Sequence, residues 1–84
     1  MIYLRVINTS LEEHVRNAQR SGIFPRDFPV GYFSVGSIIR LSEHNTTLND
    51  NGDVSTTYCG EDLDLFHWEV RRLSPLETLA MEAE

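Results

Sequence analysis

The side chains able to ligate a metal, move a proton or attack a carbonyl are Cys59, His14, His44, His67 and thirteen carboxylates. No two of the cysteine and histidines have the C-x2–4-C or H-x3–5-H spacing of a structural zinc site, so zinc would need four scattered ligands to meet by accident of fold. Cys59 with His67 offers a thiol and a base, but any cysteine and histidine on neighbouring strands would do the same. Cys59 reads instead as a small, half-buried residue. Glu61, Asp62 and Asp64, with Glu69 beyond them, could hold magnesium, which asks for only one or two carboxylates and so is met easily by chance. A solvated acidic turn accounts for the same residues. Around Asn49–Tyr58 a calcium loop with its turn glycine at Gly52 would begin at Thr47 and end at Tyr58. Both positions lack the carboxylate that loop requires. No catalytic residue, metal or cofactor is therefore assigned.

The cations narrow the chemistry further. All seven basic residues are arginine and none is lysine. This excludes a P-loop lysine and a Schiff-base nucleophile, because a guanidinium stays protonated and cannot act as an amine. The charge is also uneven. Residues 1–42 hold five arginines against three acids, a net +2, whereas residues 43–84 hold Arg71 and Arg72 against ten acids, a net −8. An acidic half repels phosphate and attracts basic surfaces through a field that salt weakens.

With 84 residues and 40% hydrophobic content, the chain reads as one domain over residues 1–84, too short for architectures of roughly 200 residues or more. One cysteine allows no internal disulfide. No apolar run approaches the roughly 18 residues of a membrane span, and Arg5 interrupts the apolar start, which reads as a strand and not a signal peptide. A cytoplasmic location is expected.

Residues 1–8 are apolar on both faces, Ile2, Leu4 and Val6 on one and Tyr3 and Ile7 on the other, which predicts a central strand. Ser10-Leu11-Glu12-Glu13 spells a capping box for a helix from Leu11 to Ser21, with Leu11, Val15 and Ala18 on one face and Gly22 as its stop. Residues 23–33 form an aromatic, proline-rich connection. Strands are predicted from Tyr32 to Ser42 with a bend or bulge at Gly36, from Asp53 to Cys59 after an Asn-Gly turn, and from Leu65 to Leu73. The last of these places Trp68 inward and His67, Glu69 and Arg71 in an exposed stripe. Ser74-Pro75-Leu76-Glu77 is a second capping box, opening a helix whose stripe of Leu76, Leu79, Ala80 and Ala83 needs a docking surface.

The order β-α-β-β-β-α predicts an α+β fold, a small four-stranded, mostly antiparallel sheet with two short helices. The strand pattern of its C-terminal part also resembles an SH3-like barrel.

The function expected from these features is protein binding without catalysis. Asp50, Asp53, Glu61, Asp62 and Asp64 would engage a basic, nucleic-acid-binding groove on a partner protein, making the chain an inhibitor or adaptor that partly mimics DNA. In length and sign of charge it resembles phage and mobile-element proteins that block nucleic-acid enzymes. Four aromatics fall within ten residues, and Phe24 and Phe28 either close the core or lend the partner an anchor. Arg71 and Arg72 suit a partner carboxylate or simply balance local acids. The other expectation is a nucleic-acid-associated β module using Arg5, Arg40, Arg71 and Arg72 with aromatic stacking, which requires those arginines on one face away from the acids.

Overall fold

A computed structural model describes residues 1–83. Two helices accompany six strands in two three-stranded antiparallel sheets: β1 (Ile2–Val6), α1 (Ser10–Arg20), β2 (Ile38–Leu41), β3 (Thr46–Leu48), β4 (Val54–Tyr58), β5 (Glu61–Leu65), β6 (Val70–Arg72) and α2 (Pro75–Glu82). The first sheet has the order β2-β1-β6 and the second β3-β4-β5. The α+β class is as expected. The single four-stranded sheet is not, and the described strands do not close into a barrel.

β1 is the central strand of its sheet, as its two apolar faces require. Ile2 pairs with Leu41, Leu4 with Ile39, and Val6 with Val70. Directly paired residues of an antiparallel sheet point to the same side, so these side chains form one inward face. They join Leu11 and Val15 of α1, Phe24 and Phe33 of the connection, and Val54, Leu63 and Leu65 of the second sheet in one buried cluster. Both sheets thus turn one face to a common core, and the alternate residues lie on the opposite faces, where Tyr3 is nevertheless buried.

The helix ends follow local chemistry, with one correction. Ser10 is the first helical residue instead of the cap, and its backbone N–H donates to Asn8 Oδ1 at 3.0 Å. Asn8 thereby supplies the acceptor expected of Ser10, whose own Oγ is buried with no hydrogen-bond partner among the described residues. At the other end Gly22, at φ +75°, donates to Gln19 O while Ile23 donates to Ala18 O at 2.9 Å. This is a Schellman closure, which returns two orphan carbonyls their partners. The second capping box forms as read: Ser74 Oγ accepts from the Glu77 N–H and Glu77 Oε1 accepts from the Ser74 N–H. The stripe on α2 remains open, with Leu76 78% and Leu79 63% exposed.

Three strand boundaries differ from expectation. The segment Val30–Phe33 is a 3-10 turn, so β2 starts only at Ile38. The long linker contains a second 3-10 turn at Glu43–Asn45 and the short strand β3. The span from Leu65 to Leu73 is not one strand: it holds the last residue of β5, a turn and β6, because Glu69 N–H and Val70 N–H both donate to Phe66 O and fold Phe66–Glu69 into that turn. That turn reverses the alternation. Glu69 is 2% exposed and Trp68 is 49% exposed, opposite to the predicted arrangement.

Candidate functional site: two sheets of opposite charge

From Thr46 to Leu65 the chain contains Asp50, Asp53, Glu61, Asp62 and Asp64, and no arginine or histidine. Those residues are the second sheet with its turns. The strands of the first sheet carry Arg5, Arg40, Arg71 and Arg72 and no acid. The fold therefore sorts a modest asymmetry of sequence halves into two sheets of opposite sign.

On the second sheet Ser55 pairs with Asp64 and Thr47, and Thr57 pairs with Asp62. These side chains share the outward face, and Thr57 Oγ1 donates to Asp62 Oδ1 at 3.4 Å. Asp62 and Asp64 are two strand residues apart, about 7 Å. That is inside the screening length of about 8 Å at physiological salt, so their fields overlap in front of the sheet. Among the described residues neither makes an ion pair, and the same is true of Asp50 and Glu61. By contrast Glu12, Glu13, Glu43, Glu69 and Glu77 are each held by a cation or a histidine.

The five carboxylates do not gather in one cluster. Asp50 sits in the β3–β4 turn, at the end of the hairpin where Val54 pairs with Leu65. Glu61 lies at the opposite end, paired with Tyr58. Asp62 and Asp64 share the outward face, whereas Glu61 has the parity of the inward Leu63 and Leu65, so the five acids are spread along the hairpin and over both of its faces. Asp53 is already engaged: its Oδ1 accepts from the His67 backbone N–H at 2.8 Å and lies 2.9 Å from His67 Nδ1. The backbone donor, then the ring nitrogen, hold its carboxyl below the usual carboxylate range.

On the first sheet Tyr3 pairs with Arg40, and Arg5 pairs with both Ile38 and Arg71. Arg5, Arg40 and Arg71 therefore share the outward face, while Arg72 has the other parity beside Leu4. Glu77 of α2 reaches this face. Its two oxygens accept from the Arg71 guanidinium at 3.3 Å each, and Oε2 lies 3.7 Å from Arg5. The Arg71 hydrogen bonds, followed by the Ser74 backbone and hydroxyl donors, lower the Glu77 carboxyl to about 2. Tyr3 is buried, with the Arg40 guanidinium 5.7 Å above its ring.

The aromatic connection closes the core. Phe24 is fully inside and packs against Phe28, Phe33 and Tyr58. Phe28 is partly buried in the same group. Gln19 Nε2 fixes the segment by donating to Pro25 O and Phe28 O at 2.9 Å. Burial of Tyr58 pushes its phenol up. Neither phenylalanine projects as an anchor, and Tyr32 is the exposed ring of this segment.

Cys59 is exposed and not half-buried, and with Gly60 it forms the two-residue β4–β5 turn. Among the described residues no three histidine, cysteine or carboxylate side chains come together as metal ligands. Glu69 is drawn away from the acidic turn. Its Oε1 accepts from the Phe66 N–H at 3.0 Å and lies 3.3 Å from His14 Nδ1. The feature missed from sequence is Trp68, whose alternation with Phe66 and Val70 signals burial.

No helix among the described residues is long and apolar enough to cross a membrane. Comparison with known proteins gave no matching family model, no similar curated protein and no similar solved structure.

Proposed function

We propose that this chain is a non-enzymatic protein-binding protein, an inhibitor or adaptor of phage or mobile-element type. Its second sheet occupies a basic groove that otherwise holds nucleic acid, so that it acts as a partial DNA mimic. One observation carries the reading: five carboxylates and no cation lie between Thr46 and Leu65, with Asp62 and Asp64 on an outward sheet face and free of ion pairs among the described residues. Unpaired carboxylates on a rigid sheet keep their field for a partner and lose little freedom on docking. Ser55 and Thr57 add hydroxyls to the same face. A cytoplasmic setting suits the exposed thiol of Cys59.

The test is capture from a lysate of the native host on the immobilised chain. A basic protein is retained, is released by added duplex DNA and by raised salt, and is not retained by an Asp62→Asn/Asp64→Asn chain. Retention that ignores both the competitor and the double substitution contradicts the reading.

A second reading, nucleic-acid association through the first sheet, is favoured by the shared outward face of Arg5, Arg40 and Arg71. Titration with labelled single-stranded and duplex DNA separates the two. Binding that is lost on Arg5→Gln/Arg71→Gln substitution favours the arginine sheet, and no binding favours the acidic one. Tyr3 lies buried beneath Arg40, so it is not a stacking ring for this second reading.

A further inference from the structure

At positions 68 and 69 the chain inverts the usual sorting of side chains: its single tryptophan is half exposed and the carboxylate beside it is buried. Burying an indole is among the largest apolar gains available to a small domain, and burying a carboxylate is costly unless it is hydrogen-bonded. Such departures from local rules concentrate where a surface has work to do. The inversion is also firmly built. Glu69 Oε1 accepts from Phe66 N–H, Asp53 accepts from His67 N–H, and Ile7 N–H donates to Glu69 O at 2.9 Å. The turn that displays Trp68 is thus tied to α1 through His14, to β1 through Ile7 and to the acidic hairpin through Asp53.

Trp68 belongs to a run of rings, with the His67 ring packed against it at 5.0 Å and 82°. It stacks with Phe66 at 4.7 Å and 9° between planes, and Phe66 stacks with His14 at 5.5 Å and 22°. The strand leading into the turn carries Asp64, two residues before Phe66. A groove of about 360 Å3 between α1 and β5 is lined by His14, Phe66, Asp62 and Asp64. Trp68 stacks on Phe66, which lines this groove with Asp62 and Asp64, so the exposed indole stands beside it.

We infer that Trp68 is the anchor of the binding surface and receives an arginine side chain of the basic partner. This rests on the acidic-sheet reading above. A tryptophan face is the strongest aromatic partner for a cation, and a planar guanidinium can lie on the indole while it donates hydrogen bonds to a carboxylate. A held tryptophan also loses little rotamer freedom on docking, which is why tryptophan dominates interface energetics. Lysine, a compact and strongly hydrated charge, gains less from the same ring.

Because Trp68 is the only tryptophan, its emission reports the contact directly. The experiment titrates the full chain at low salt with an oligo-arginine peptide and, separately, an oligo-lysine peptide of equal length, following emission and heat. The arginine peptide changes Trp68 emission saturably and binds more tightly than the lysine peptide. Trp68→Leu weakens arginine-peptide binding about tenfold, and Trp68→Phe weakens it less. Circular dichroism of both variants matches the parent, since the ring lies on an exposed turn. If the peptide binds the parent and Trp68→Leu equally, the anchor is overturned and the acidic surface stands. If heat shows no peptide binding to the parent at all, both fall.

Discussion

Arg5 and Arg71 lie directly opposite each other across the β1–β6 pair, and one carboxylate, that of Glu77, serves both guanidinium groups. Like charges opposite one another in a sheet repel. Glu77 relieves that repulsion and at the same time closes the capping box of α2. Glu77 thereby fastens to the first sheet a helix that has no buried side chain. Glu77→Gln is expected to raise amide hydrogen exchange throughout α2 while β1 and β4 stay protected.

The same contact sets a pH dependence. The folded value of Glu77, about 2, is below its ordinary 4.5, so its contribution is present above 4.5 and is lost as pH falls toward 2. Amide exchange of α2, corrected for intrinsic rates, should rise over that window in the parent. In Glu77→Gln it should be already high and flat. A parent profile that does not change over the window contradicts this role.

Glu69 is a buried carboxylate with two partners, the Phe66 N–H and His14. Glu69→Ala leaves the part-buried Phe66 N–H without this acceptor and should cost about 1–3 kcal/mol in chemical denaturation. Trp68 emission in the native state should shift as well, because Glu69 shapes the turn that displays the indole.

Cys59 has φ +55° beside Gly60 at φ +80°, a pair of left-handed residues of the kind that two-residue hairpin turns require. A cysteine is strained there and an asparagine is not. Cys59→Asn is expected to stabilise the chain by about 0.5–1 kcal/mol, raising Tm by a few degrees. An unchanged or lower Tm would remove strain as the account of this position.

Gln19 holds the aromatic connection with two donated hydrogen bonds. Gln19→Leu should destabilise by about 1–2 kcal/mol and expose the connection, seen as faster proteolysis between Ile23 and Tyr32.

Much of the scaffold was legible because its determinants are local. Ser74, Pro75 and Glu77 specify a helix start within four residues, Gly22 a helix stop, and the two apolar faces of β1 a central strand. The Phe66–Glu69 turn was not legible. No glycine or proline marks it, the alternation runs on from Leu65 to Leu73, and the partners that make burial of Glu69 possible include His14, 55 positions away. The same distance hides the exposure of Trp68. Ser10 was misread for a smaller reason: Asn8, two residues earlier, competes for the role of acceptor. For the site, the acids from Asp50 to Asp64 are close in sequence and were read as one group, but the fold spreads them from one end of the hairpin to the other. The arginine face is built by strands from three separate segments and becomes visible only with their register.

The central claim is that the second sheet binds through its unpaired carboxylates, and the most direct measurement is the salt dependence of affinity for the captured partner. For the parent, affinity should fall steeply as salt rises, and for Asp62→Asn/Asp64→Asn it should start lower and fall with a smaller slope. Equal slopes and equal affinities for the two chains would contradict the account.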